Sequence, residues 1–251
     1  MKTIIAIGGG ELGELETLPI DKQIVEMGKK KVGSEKYNPK VLFIPTASND
    51  AEGYCDTFKK VYSDKLNCRV DFLLLTKEKL SKKTIADKIL SSDIIYVGGG
   101  DTLNMLKIWR KLRIDKILKK AYNQGIILSG LSAGAICWFR YGVSDSRLFI
   151  KNSKNKNWMR VSGLNFLPLT ISPHHIRDKK IRDRGIREIM TRTPGVGLSM
   201  DDNTAIIIQD DRYKIIRSKN NTKIRKVFNS RERIIEIKLE DKGFLNDLVK
   251  Y

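Results

Sequence analysis

The stretch Gly130-Leu131-Ser132-Ala133-Gly134 has the Gly-x-Ser-x-Gly spacing that holds a serine hydroxyl on a sharp turn between a strand and a helix. Such a turn needs small neighbours, and Gly130, Ala133 and Gly134 supply them. A serine hydroxyl is a weak nucleophile at neutral pH and needs a base to accept its proton during attack. The chain contains only 2 histidines, His174 and His175, placed after an apolar run and the turn Ser172-Pro173. One of them is expected to be the base and the other a wall of the pocket. The third member of a triad would be a carboxylate that fixes the imidazole tautomer. Asp201 and Asp202 end a further apolar run and are the candidates. The resulting order Ser, His, Asp differs from the Ser, Asp, His order of the α/β-hydrolases that share this elbow.

These loops need a frame that brings them together. Short apolar, β-branched runs at residues 2–7, 41–45, 70–75, 94–97 and 126–128 read as strands covered on both faces, as in a parallel sheet. Amphipathic stretches at residues 52–63, 84–90, 103–110, 114–122 and 179–190 lie between or after them, and the segment after the elbow reads as helix over 133–140. The alternation predicts an α/β fold, a doubly wound and mostly parallel sheet with helices on both faces. Residues 167–171, 196–200, 205–208, 213–216 and 234–237 read as further strands, the last four a C-terminal extension of the same domain. With no Pro/Gly/Ser linker and no repeat, residues 1–251 are expected to be one domain. Loops at the carboxyl ends of such strands line the ligand crevice. Gly8-Gly9-Gly10, Gly98-Gly99-Gly100 and the elbow all occupy such places. None has dinucleotide or Walker spacing, so no nucleotide cofactor is implied there.

Composition narrows the classes further. The chain has 251 residues, 41% hydrophobic and 31% charged, in the range of ordinary globular proteins. No apolar run approaches the roughly 18 residues of a membrane span, and the cytoplasm is the expected location. Cys55, Cys68 and Cys137 include no Cys-x-x-Cys pair, so neither a disulfide framework nor a metal site is expected. The net charge of +19 raises the question of a polyanionic partner, but the lysines and arginines are dispersed and no nucleic-acid-binding pattern accompanies them. Nucleic acid is therefore not expected as a partner, and a monomer or homodimer is.

The motifs together resemble the peptidase E family of serine peptidases, the aspartyl dipeptidases, which is related to cyanophycinase. The resemblance runs over nearly the whole chain. It is carried by Ile7-Gly8-Gly9-Gly10-Glu11, Phe43-Ile44-Pro45-Thr46-Ala47-Ser48, Tyr96-Val97-Gly98-Gly99-Gly100, the elbow through Trp138, Ser172-Pro173-His174, Asp201-Asp202-Asn203-Thr204-Ala205 and Asp211-Arg212-Tyr213-Lys214-Ile215-Ile216. It implies a flavodoxin-like, class I glutamine amidotransferase-like fold in which serine replaces the amidotransferase cysteine. It places the nucleophile on Ser132, the base on His174 and the acid on Asp202, with Asp201 the alternative. The backbone N–H groups of Gly99 and Ala133 would form the oxyanion hole. No cofactor is implied. The implied substrate is a small acidic peptide, a dipeptide beginning with aspartate, whose carboxylate calls for a guanidinium. Arg182 is the candidate, with Arg184 and Arg187 as rivals. The chain has Asp101 where the family commonly has Asn, a carboxylate that could repel an acidic substrate or bind its amino group, and Ile181 where the family has Thr. Two other readings stand beside this one: the same machinery acting on β-aspartyl or cyanophycin-like bonds, and a basic binding protein with an inert elbow.

Overall fold

The run expected to be the first strand forms β1 (Thr3–Ile7), and all five of its side chains are buried, as a central strand covered on both faces requires. The structure is a computed structural model, and it describes residues 1–149, 158–175 and 179–250. After β1 come α1 (Leu18–Val32), β2 (Lys40–Ile44), α2 (Glu52–Lys59), β3 (Arg69–Phe72), α3 (Lys82–Leu90), β4 (Ile94–Val97), α4 (Thr102–Leu112), α5 (Ile114–Asn123), β5 (Ile127–Leu131) and α6 (Ala133–Ile136). The second half adds β6 (Phe139–Ser144), β7 (Met159–Ser162), β8 (Leu167–Ser172), α7 (Lys179–Thr191), β9 (Val196–Met200), β10 (Thr204–Gln209) and β11 (Arg212–Arg217). It ends with β12 (Ile224–Ser230), β13 (Arg233–Lys238), β14 (Lys242–Phe244) and α8 (Leu245–Val249).

The α/β class, with a parallel core and helices on both faces, is what forms. The eight-stranded sheet runs β14-β11-β10-β1-β5-β4-β2-β3, and the five strands from β1 to β3 in that order are parallel. One face packs on α3, α4 and α5 through Ile85, Met105, Trp109 and Leu118. The other packs on α1 and α2 through Ile20, Ile24, Val25 and Phe58. The later strands do not extend this sheet alone but divide between two sheets. β10, β11 and β14 add antiparallel to β1, whereas β9, β12 and β13 join β6, β7 and β8 in a six-stranded sheet of order β13-β12-β9-β8-β6-β7. The helix read over 133–140 is a single turn. The chain re-enters extended structure at Phe139, where β6 finds a parallel partner in β8. That partner lies some thirty residues away in sequence, beyond what a local window can show. No helix among the described residues is long and apolar enough to cross a membrane.

One buried acid sits beneath the face that carries the site. Asp21 is fully buried and accepts hydrogen bonds from Thr17 Oγ1 and Tyr62 Oη, both at 2.7 Å. Tyr62 ends an aromatic stack, Phe43–Phe58 at 4.1 Å and Phe58–Tyr62 at 4.2 Å, against which Tyr54 leans edge-on. Burial raises the Asp21 carboxyl from its ordinary 3.8 to about 6. An acid with a raised folded value binds more protons folded than unfolded between those two pH values, so its contribution to stability falls as pH rises through that window. Urea melts should therefore show Asp21→Asn gaining on the natural protein from pH 4 to pH 7, by about 3 kcal/mol at most. A stability difference that stays flat across the window would contradict this.

Candidate active site

The elbow is built by close approach of backbone. β5 delivers Ser132 with φ 57°, a left-handed value unusual for a residue with a side chain and a mark of stored strain. A Cβ on Gly130 would overlap the carbonyl oxygen of Gly134, and one on Gly134 would overlap that of Val97. Only glycine fits either position, which explains the spacing. α6 then begins at Ala133, whose N–H, at the first helical position, has no intrahelical partner.

Three side chains from three loops meet above this turn. Ser132 Oγ lies 2.7 Å from His174 Nε2, and His174 Nδ1 lies 2.6 Å from Asp202 Oδ1. His174 leaves the end of β8 in the six-stranded sheet, and Asp202 stands in the turn from β9 to β10, where the chain passes from one sheet to the other. The loop after β1 holds both. His174 N–H donates to Gly8 O at 2.8 Å, and Asn203 N–H to Gly9 O at 2.9 Å. A Cβ on Gly9 would collide with Asp202 Oδ1 and His174 Nδ1 together. The role of Gly9 is thus steric; the sequence marks the glycine run but not which of its members faces the histidine. Gly9→Ala should push the imidazole and the carboxylate apart and lower peptidase kcat/KM by on the order of 10²-fold, with some loss of Tm because the position has φ +155°. Unchanged kinetics would show that the pair does not need this clearance.

The remaining candidates are placed as follows. Asp201 turns away from His174: its Oδ1 accepts from Arg225 Nη1 at 2.8 Å and its Oδ2 from Lys223 N–H at 2.7 Å, tying β9 to β12. His175, expected as a pocket wall, is not one. It is 2% exposed, its Nδ1 is 2.7 Å from Ser199 Oγ, and burial with the nearby Arg225 charge lowers its pKa. His174 turns off the strand with φ 59° and reaches the elbow, while His175 is held against β9 by its N–H to Met200 O bond and by Ser199. Asp101 caps α4, its Oδ1 accepting from Leu103 N–H at 3.0 Å and Asn104 N–H at 3.2 Å. Its carboxylate is engaged as a helix cap, not presented to the cleft. Arg182 is buried, with Nη2 3.4 Å from Asp145 Oδ2 and its guanidinium 4.0 Å above the Trp158 ring. Arg187 pairs with Asp183 and Glu236, and Arg184 is exposed.

Tyr54 was not singled out by the sequence. Its hydroxyl accepts from Gly99 N–H at 3.3 Å, and burial pushes its pKa up to about 12, so it stays a neutral phenol. With Gly10, Glu11, Gly99, Ser132 and His174 it lines a cleft of about 510 Å³, within the range of small-ligand sites. A tyrosine in an amphipathic helix has no local feature that would announce this.

Among the described residues, one group has its ligand atoms close enough to share a metal ion, His175, Asp183 and Glu236. Arg187 bridges both carboxylates and Arg225 Nε reaches Glu236 Oε1 at 3.2 Å. A cation there would compete with two guanidinium groups already in place.

A sequence model of peptidase family S51 matches residues 4–216. The chain belongs to peptidase family S51. This S51 member is a serine peptidase, and therefore a hydrolase. It is 33% identical over 241 residues to the uncharacterized peptidase YgaJ of Bacillus subtilis (strain 168), covering 95% of this chain and 97% of that one. It is 29% identical over 137 residues to the uncharacterized peptidase Lmo0363 of Listeria monocytogenes, covering 54% and 65% of the two chains. In fold it is similar to a crystal structure of a putative peptidase E protein from Listeria monocytogenes EGD-e, at TM-score 0.65 and 22% identity over 86% of this chain and 98% of that one. A peptidase from an acI-B1 actinobacterium is also similar, at TM-score 0.65 and 18% identity over 95% and 97%.

Proposed function

We propose that Ser132, His174 and Asp202 act as a catalytic triad and that this S51 peptidase removes an N-terminal aspartate from dipeptides. The observation that carries the proposal is the continuous line of hydrogen-bond contacts from Ser132 Oγ through both imidazole nitrogens to Asp202 Oδ1. In the reaction, Ser132 Oγ attacks the scissile carbonyl while His174 Nε2 takes its proton. The same nitrogen returns the proton to the leaving amine, and water then hydrolyses the acyl-enzyme by the reverse use of the base. Asp202 accepts from Nδ1–H, fixing the tautomer and stabilising the imidazolium. The N–H groups of Ala133 and Gly99 would hold the oxyanion, the substrate oxygen taking over the Gly99 donor that Tyr54 occupies in the structure.

Substrate preference is read from the charges around the elbow. Glu11 lines the cleft, and an acidic residue there suits a substrate with a free α-amino group, as an exopeptidase requires. Arg182, whose Nη2 lies 3.4 Å from Asp145 Oδ2, is the guanidinium we assign to the substrate carboxylate. A peptide panel tests the proposal. Asp-Leu should be cleaved with a kcat/KM at least about 10²-fold above Ala-Leu and N-acetyl-Asp-Leu, and Arg182→Ala should erase the advantage over Ala-Leu. Equal cleavage of the acetylated peptide would rule out the exopeptidase reading, and preference for β-Asp-Leu would replace the substrate class.

A further inference from the structure

At the end of the large sheet opposite to the elbow, a groove of about 660 Å³ opens between α1 and the antiparallel strands β10, β11 and β14. Five cations line it: Lys30 and Lys31 from the last turn of α1, Arg212 and Lys214 from β11, and Lys242 from β14. Its floor is apolar, with Met27 and Ile207, and the Phe244 ring stands at its rim, 49% exposed.

Two features set this groove apart from a merely basic surface. First, Lys214 and Lys242 are directly opposed in the antiparallel register of β11 and β14, so two like charges face each other across neighbouring strands, an arrangement that destabilises a sheet. Second, the groove gathers five cations together with an apolar floor, and among the described residues no carboxylate lines it. Elsewhere the same strands neutralise their charge: Arg217, at the other end of β11, grips both oxygens of Asp241. A monoanion would leave most of this charge unmatched. A ligand with several negative charges and a flat apolar body would match both the lysines and the floor. Arg212 already lies 5.0 Å from the centroid of the Phe244 ring, which shows that the ring can take a planar group against its face.

We propose that this groove binds a nucleotide, a nucleoside di- or triphosphate, with its phosphates between Lys214, Lys242 and the lysines of α1 and its base against Phe244 and the apolar floor. The site is separate from the peptidase cleft and independent of the substrate assigned above. The test is calorimetric titration of the full chain with ATP at low salt. One ATP should bind per chain. Lys214→Gln/Lys242→Gln should weaken binding at least tenfold, as should Phe244→Ala, with melting curves reporting that both variants stay folded. Inorganic tripolyphosphate should bind at least tenfold more weakly than ATP. Absence of saturable binding, or binding unmoved by both variants, overturns the site. Tripolyphosphate binding as tightly as ATP overturns the nucleotide, as does a ten-nucleotide single-stranded RNA that displaces ATP at a concentration tenfold below it.

Discussion

Replacing Ser132 by alanine is expected to lower peptidase kcat by about 10⁶-fold while leaving the fold in place. The size follows from how the three residues work as a unit. Without the hydroxyl there is no acyl-enzyme, and His174 has no proton to take. What remains is the cleft and its backbone donors, which retain on the order of 10³- to 10⁴-fold over water in comparable triads. The fold should be indifferent because the φ of 57° is as strained for alanine as for serine, and the β5-to-α6 turn is held by the Ser132 N–H to Ile7 O bond of 3.1 Å, which the substitution keeps. A fluorophosphonate probe gives a readout independent of substrate choice. The natural protein should label at one residue and Ser132→Ala at none. Peptidase activity that survives in a purified Ser132→Ala sample would remove Ser132 as nucleophile, whatever its geometry.

The parts of this molecule that were legible in the sequence are those whose physics is local. β1, β2 and β4 are near-continuous apolar runs because both of their faces are covered, and that pattern needs no knowledge of neighbours. The elbow is equally local, since Gly130 and Gly134 are fixed by contacts within its own turn and the adjacent strand. The division into two sheets is not local. β12 reads Ile-Arg-Lys-Val-Phe-Asn-Ser, a mixed pattern that becomes a strand because β9 and β13 flank it. The helix read over 133–140 takes in the first two residues of β6 for the same reason, as the partner β8 lies beyond any window. Within the site, the residue types were visible, but the sequence alone did not separate His174 from His175 or Asp201 from Asp202. Both pairs stand in turns just past a strand, and which member faces the elbow depends on long-range pairings such as His174 N–H with Gly8 O and Asp201 with Arg225. Tyr54 acts through a contact with a distant loop and carries no mark in its own segment, and the glycine run after β1 does not show that Gly9 is the member packed against His174 and Asp202.

The two adjacent aspartates give the sharpest test of that distinction, because the proposed triad gives them different work. Asp202→Asn keeps the size and shape of the side chain but offers an amide where Nδ1–H needs an acceptor, which favours the wrong imidazole tautomer. The expected result is a fall in kcat of about 10⁴-fold with Tm nearly unchanged. Asp201→Asn should do the reverse. Its carboxylate is 2% exposed and pairs with Arg225 Nη1 while accepting from Lys223 N–H, so neutralising it strands a guanidinium that Glu236 satisfies only in part. Loss of one partner from a buried pair costs about 3–5 kcal/mol, and the partial exposure of Arg225 and its second partner put the expected value at or below the lower end of that range. Urea melts should show that loss, while kcat per folded molecule stays within about tenfold because no atom of Asp201 touches His174. Measuring kcat and stability on both variants separates the roles cleanly. A kinetic collapse in Asp201→Asn with Asp202→Asn nearly intact would move the acid to Asp201, and would require the turn between β9 and β10 to rotate by one residue when substrate binds.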